Sequence, residues 1–117
     1  MKAEELMIRD WVRIKITQHN TTVTNIDANS VYTEAVFPVR YDEIEPVPLT
    51  SEILEKNGLT KHAYGFSFQY LKLNGNLRND DTVYFTITIS GKDITIDYVH
   101  QLQHALRLCG IEKEITL

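Results

Sequence analysis

Cysteine is almost missing from this sequence, in which Cys109 is the single example. One cysteine excludes a disulfide within the chain, so the fold must be stabilised by its core. Cys109 falls on the apolar side of a predicted helix, and we therefore expect a buried thiol. An unpaired cysteine is typical of a reducing compartment, and it favours a cytoplasmic protein.

Long hydrophobic runs are also missing. No segment approaches the ~18 consecutive apolar residues that a membrane-spanning helix needs. The opening MKAEELMIRDW is charged and has no apolar stretch of signal-peptide length. We therefore expect a soluble cytoplasmic protein without a membrane partner.

The sequence has no excess of positive charge, since 12 Lys and Arg residues stand against 16 Asp and Glu residues, for a net charge of −4. The basic residues are scattered and form no run. Nucleic acids and anionic membranes attract basic surfaces, so this balance makes nucleic acid an unexpected partner.

Sequence patterns that mark common active sites are missing as well. The five glycines form neither a G-x-G-x-x-G fingerprint nor a P-loop, and no serine lies in a G-x-S-x-G turn. The adjacent carboxylates Asp80 and Asp81 fall in a polar loop, where turn formation is their ordinary role. We predict a protein that is not an enzyme, with no catalytic residue and no cofactor.

What the sequence does contain is the pattern of a small α+β domain. Its 117 residues and 13.5 kDa predict a single domain over residues 1–117. In the first half, Val12, Ile14 and Ile16 alternate with polar residues, and two further short strands follow before Pro38. The third of these strands places Val31, Ala35 and Phe37 on one face. These strands predict an N-terminal meander that resembles an SH3-sized barrel.

The second half combines helices with a second antiparallel sheet. Helix signals predict a short central helix over residues 51–57 and a C-terminal helix over residues 98–109. Between them, alternation predicts a three-stranded sheet, made of an aromatic strand that ends near Asn74 and Gly75, then residues 83–90 and 93–97. The final EITL is predicted to return as a short strand.

The C-terminal helix carries a polar face that is a candidate binding surface, formed by His100, Gln101, Gln103 and His104. A helical wheel gathers Val99, Leu102, Ala105, Leu106 and Cys109 on the core-facing side and leaves His100, His104 and Arg107 on the opposite side. The histidine pair has metal-ligand spacing, but two ligands do not complete a site. The glutamate of H-E-x-x-H is absent, because Gln101 and Leu102 occupy the middle positions. We therefore predict exposed histidines and no metal site.

A second candidate binding surface consists of aromatic residues on the predicted strand: Tyr64, Phe66, Phe68 and Tyr70. The segment HAYGFSFQY partly matches the RNA-recognition motif RNP1 at Tyr64, Gly65 and Phe66. It departs from the motif at Ser67 and Gln69, and the leading basic residue is missing. An exposed row of these rings beside Lys61 and Lys72 would favour binding of single-stranded nucleic acid; rings buried in the core are the alternative.

Three segments resemble uncharacterised small proteins of Bacteroides-type bacteria and their prophages. They are KAEELMIRDWV at residues 2–12, IEPVPLT at residues 44–50 and YVHQLQ at residues 98–103. Arg9 and Asp10 depart from the resemblance, since the familiar opening has glycine and asparagine there. The family has no known activity, so the resemblance implies a phage or mobile genetic element without a mechanism.

Together these observations favour a non-enzymatic interaction or accessory module of a phage or mobile element. Its partner would be a protein, with self-association as one form, and contact would be made through the sheet edges or the histidine-bearing helix. The alternative is a single-stranded nucleic-acid binder that uses the aromatic strand.

Overall fold

The computed structural model describes residues 1–35, 37–80 and 82–117. Two antiparallel five-stranded sheets and two α-helices confirm the α+β class. The helices are α1 (Ser51–Lys56) and α2 (Val99–Leu108), and short 3-10 turns cover Ala3–Glu5 and Tyr41–Glu43. The strands are β1 (Trp11–Ile14), β2 (His19–Ile26), β3 (Ser30–Thr33), β4 (Val39–Arg40), β5 (Ile44–Pro46), β6 (Thr60–His62), β7 (Gly65–Phe68), β8 (Leu71–Leu77), β9 (Val83–Ile89) and β10 (Lys92–Ile96).

The chain divides into two compact units. The first consists of Met1–Pro48 with Tyr98–His100, and the second of Leu49–Asp97 with Gln101–Leu117. Each unit contains one of the two sheets. The prediction of a single domain over residues 1–117 stays a prediction.

The first unit is built on the sheet β4-β3-β2-β1-β5, in which β1 to β3 correspond to the three predicted strands, β4 adds a fourth and β5 pairs back onto β1. Its core gathers Val12, Ile14, Val23, Val31 and Ile44. The chain turns after Ile14, with Gln18 at a φ of 54°, so the prediction of an inward Ile16 is wrong and that side chain is exposed. The likeness to an SH3 barrel stays a prediction.

The third strand is also shorter than predicted. β3 ends at Thr33, and Phe37, expected on its inward face, is exposed. A proline follows at position 38, and proline cannot donate a ladder hydrogen bond. The next described strand is β4, which has two residues.

The turn before β1 holds Arg9 in a conformation that glycine adopts more easily. Arg9 has a φ of 77°, in the left-handed region where glycine is unstrained. Asp10 is buried, and its Oδ2 accepts a hydrogen bond of 2.8 Å from the backbone N–H of Met7. Glycine would adopt this conformation without steric strain, whereas arginine adopts it with a steric penalty from its Cβ.

The second unit is built on the sheet β10-β9-β8-β7-β6, which has five strands where three were predicted. The predicted aromatic strand is in fact two strands, because the chain reverses at Gln69–Tyr70 between Phe68 and Leu71. It also reverses at Ala63–Tyr64, which joins β6 to β7. Gln69 has a φ of 54°, so this turn forms without glycine.

β8 continues through Asn74 and Gly75, where its end was predicted. Gly75 lies opposite Phe85 on β9, and the Phe85 ring lies 3.9 Å from the place of a Gly75 Cβ. The aromatic ring thus covers the surface that a side chain would otherwise fill. The strand therefore continues past this glycine, where an added Cβ would make only ordinary van der Waals contacts.

α1 follows its sequence signals closely, since the Thr50 hydroxyl accepts a hydrogen bond from the N–H of Ile53 and Gly58 follows with a φ of 80°. The predicted EITL strand is wrong, because the structure assigns no strand to residues 111–117. Instead the buried amide of Asn57 binds this segment. Its Oδ1 accepts from the Thr116 N–H at 2.8 Å, and its Nδ2 donates to the Thr116 carbonyl at 2.7 Å.

α2 begins and ends within one residue of the predicted helix over residues 98–109. Val99, Leu102, Ala105 and Leu106 are buried as predicted, whereas Cys109, expected to be buried, is only half-buried. The prediction of two outward histidines is wrong for His100, which is 5% exposed, while His104 is half-buried.

Candidate functional site

The polar face predicted on α2 does not form a single exposed surface. His100 and Gln103 are buried, and Gln101 and His104 are half-buried. The His100 ring lies beside that of Tyr98, with 6.0 Å between centroids. Gln101 has a structural role, because its Oε1 accepts the N–H of Asp97 at 2.7 Å and so fixes the chain just before the helix.

Metal ligation finds no support in this helix. Across residues 1–35, 37–80 and 82–117, no three His, Cys, Asp or Glu side chains gather at metal-binding distance. The prediction of no metal site stays a prediction that zinc titration can test.

The four aromatic residues are also separated. Phe66 is 3% exposed and packs edge-on against Phe85 at 6.0 Å, and Phe68 is half-buried. Tyr64 and Tyr70 lie in turns and are exposed, and the Tyr70 hydroxyl donates to the carbonyl of Cys109. The predicted aromatic row is therefore not formed.

Of the two exposed rings, Tyr64 has a cationic neighbour of the kind that base stacking would use, and the half-buried Phe68 has Lys113 Nζ 5.7 Å from its centroid. The His62 ring stacks on it at 4.9 Å, and Lys72 Nζ lies 5.9 Å from its centroid. Lys61, the second lysine expected beside the row, instead pairs with Glu55 at 3.6 Å. One exposed ring is less than the series of stacking platforms that single-stranded nucleic-acid binders use.

A small cavity lies where the pairing between β8 and β9 ends, beyond Asn74 and Thr86. Its volume is about 290 Å³, and it is lined by Tyr70, Leu71, Lys72, Asn74, Thr88, Ile89 and Cys109. Small-molecule sites usually measure roughly 300 to 1,000 Å³. Lys72 is the one charged residue in this lining, so the cavity does not bring an acid and a base together.

The sheet edges differ strongly in their capacity to bind another strand. β4 has two residues and follows Pro38, β5 ends in Pro46, and β6 has three residues. Short edges and prolines prevent pairing with further strands. β10 has five residues and no proline, and its outer edge has no neighbouring strand among the described residues.

The turn between β9 and β10 fixes which backbone groups of β10 face outward. Ser90 and Gly91 have φ values of 52° and 77°, so they form a two-residue turn of the I′ type between Ile89 and Lys92. In such a turn the N–H of Lys92 points to β9. The direction of the backbone N–H and C=O groups alternates from residue to residue along a strand. The backbone groups of Ile94 and Ile96 therefore also point to β9, and those of Asp93 and Thr95 point outward.

This open edge ends sharply at Asp97. The N–H of Asp97 donates to Gln101 Oε1, and its carbonyl accepts from the N–H of Leu49 at 3.0 Å. Its carboxylate pairs with Arg78 at 2.5 Å. The groups open to a further strand are therefore those of Asp93 and Thr95, with the 39% exposed side chain of Ile94 between them.

The edge was not singled out from the sequence, although a signal for it exists. The segment SGKDITID combines a Ser-Gly turn with a proline-free alternating strand. The segment alone does not predict whether β10 has a neighbouring strand on one side or on both. That information comes only from the order of the strands in the sheet.

Comparison with known proteins adds no relative: no family model, no curated protein and no solved structure matches the chain. Within the part of the chain that the structure describes, no helix is both long and apolar enough to cross a membrane.

Proposed function

We propose that this chain is a non-enzymatic interaction module that binds an extended segment of a protein along the outer edge of β10. The observation that carries the proposal is the contrast between this edge and the three others. β10 offers the outward groups of Asp93 and Thr95 on a five-residue strand, whereas the other edges are short or contain proline. Strand addition of this kind is a common mode of peptide recognition.

The biological setting is part of the proposal and is supported by the resemblance alone. The segments at residues 2–12, 44–50 and 98–103 resemble proteins of Bacteroides-type bacteria and their prophages. We therefore propose an accessory role in a phage or mobile element. A cytoplasmic location would agree with the single cysteine.

The alternative function, binding of single-stranded nucleic acid, has less support. It needed Tyr64, Phe66, Phe68 and Tyr70 on one exposed face, but Phe66 is buried and the two tyrosines lie in different turns. The net charge of −4 also opposes it.

A proline at position 95 tests the proposed strand addition. Thr95→Pro removes an outward N–H while leaving the pairing of β10 with β9 intact, because proline is tolerated at an outward position of an edge strand. Thr95→Ala is the matched control, since it removes the same side chain and keeps the N–H. In affinity capture from the native host, wild type and Thr95→Ala should retain a specific protein that Thr95→Pro loses. Equal capture by all three would contradict the proposal.

A further inference from the structure

The geometry points to a second copy of this chain as the partner of β10, with the two strands antiparallel and Ile94 on the two-fold axis. This inference rests on the proposed function, because it names the partner for the same edge. It follows from the backbone direction, the charges and the end of β10.

The backbone direction limits the registers that two β10 strands can adopt. Hydrogen-bonded pairs form between residues whose backbone groups face the partner, and on β10 these are Asp93 and Thr95. A symmetric pair can therefore be centred on Asp93, Ile94 or Thr95. Each of these three registers places a different set of residues opposite one another.

Two of the three registers are poor. Centring on Asp93 makes a single hydrogen-bonded pair and places the two Asp93 carboxylates directly opposite each other, which is destabilising. Centring on Thr95 places Asp93 opposite Asp97, which repeats the like-charge contact. It also requires backbone groups of Asp97 that already bind Gln101 and Leu49.

Centring on Ile94 gives a hydrogen-bond partner to every outward backbone group of Asp93 and Thr95. Asp93 of each copy then lies opposite Thr95 of the other, which gives two hydrogen-bonded pairs and four backbone hydrogen bonds. The carboxylate of Asp93 faces a hydroxyl instead of another carboxylate. Lys92 lies opposite Ile96, so no like charges meet along the strand.

The side chain of Ile94 has the environment that this register predicts. It is 39% exposed although Ile87, its neighbour on β9, is fully buried. In the proposed pair the two Ile94 side chains meet at a non-hydrogen-bonded position, where side chains come closest. Both would lose exposed apolar surface to each other.

The five residues of β10 make a small contact, so the dimer should be weak and its population should rise with protein concentration. Light scattering and sedimentation on the full chain would measure this association. Ile94→Asp and Ile94→Lys should each raise the dissociation constant about tenfold or more, because each places two like charges on the axis. Leu77→Asp is the matched control, since Leu77 is a 71% exposed apolar residue of the same sheet that lies away from β10, and it should still dimerise.

Mixing the two charged variants tests the register itself. Ile94→Asp and Ile94→Lys should form a heterodimer with each other, visible by native mass spectrometry, because Asp then meets Lys on the axis. Circular dichroism would verify that each variant is folded before mixing.

Three results would overturn the inference: wild type that stays monomeric up to about millimolar concentration, a dimer retained by both charged variants, or no heterodimer on mixing. A monomeric wild type would leave the proposed function standing, since capture lost in Thr95→Pro would then identify a different protein strand.

Discussion

Gly65 occupies a position where any side chain would collide with the neighbouring strand. A Cβ there would lie 2.0 Å from the carbonyl oxygen of Leu73 and 2.8 Å from the nitrogen of Gly75, both backbone atoms. Gly65 also has a φ of 147°. The glycine that matched the RNA-recognition motif therefore has a sufficient structural cause in the sheet.

Replacing Gly65 should accordingly be far more damaging than replacing a glycine in open space. We expect Gly65→Ala to lower the free energy of unfolding by about 3 kcal/mol or more, because backbone atoms of β8 must move. Gly58→Ala is the control, since its φ is 80° with no atom within 4 Å of a new Cβ, and should cost about 1 to 2 kcal/mol. Urea unfolding compares the two, and equal losses would contradict the collision.

Asp27 should make the stability of the protein depend on pH in the acid range. The N–H groups of Asn29 and Ser30 donate to its Oδ1 at 2.9 and 2.7 Å, and these bonds lower its pKa below the ordinary value of 3.8. Because the folded pKa is the lower one, the unfolded chain binds more protons as pH falls below about 3.8. The stabilisation is thus present above that pH and lost as pH falls through the folded pKa.

Removing the Asp27 carboxylate tests the direction of this pH dependence. Asp27→Asn should flatten the part of the stability profile that lies below pH 3.8, and the NMR titration of the wild-type carboxyl should have its midpoint below that value. A midpoint above 3.8 would show that the two hydrogen bonds do not favour the charged form.

At the scale of elements, the apolar stripe of α2 should dominate the stability that the helix contributes. Leu106 is 2% exposed, and His104 is half-buried. Leu106→Ala should lower the free energy of unfolding by about 2 to 5 kcal/mol, and His104→Ala by less than ~0.5 kcal/mol. Thermal and urea unfolding of both variants would check the order, and a larger loss in His104→Ala would mean that its side chain has a core role.

The burial of His100 shows why this helix was only partly predictable. Periodicity located α2 and its apolar residues, since those follow from 3.6 residues per turn. From Ala105 through Val99 to His100, however, the buried residues span about 220° of the wheel, wider than the apolar stripe, and only Arg107 in the last turn is exposed within that arc. The width depends on what packs around the helix, and a single sequence does not contain that information.

The second sheet shows the same limit for strands. Alternation located β9 and β10 because one face of each is apolar. The reversal at Gln69–Tyr70 was missed because Gln69 takes a left-handed φ without being glycine, so the alternating aromatic residues predicted one continuous strand. The candidate aromatic site required one continuous strand, so the structure does not form this site. The β10 edge could not be found either, because strand order is set by tertiary pairing.

At the scale of the whole molecule, α2 contributes residues to both compact units. Val99 and His100 belong to the first, and Gln101–Leu108 to the second. The N–H of Val99 donates to the carbonyl of Val47 at 2.9 Å, and Val99 and Leu102 are both fully buried. Unfolding this helix would therefore remove buried residues from each unit.

The sharing of α2 leads us to expect that the whole chain unfolds in one transition, as the single-domain prediction requires. Trp11 is the only tryptophan, so its fluorescence reports on the first unit, while the methyl NMR signals of Ile87 report on the second. The two probes should have the same thermal midpoint in wild type. Leu102→Ala, a change in the second unit, should lower both midpoints together by about 10 °C. A fall at Ile87 with an unchanged midpoint at Trp11 would mean instead that the two units unfold independently.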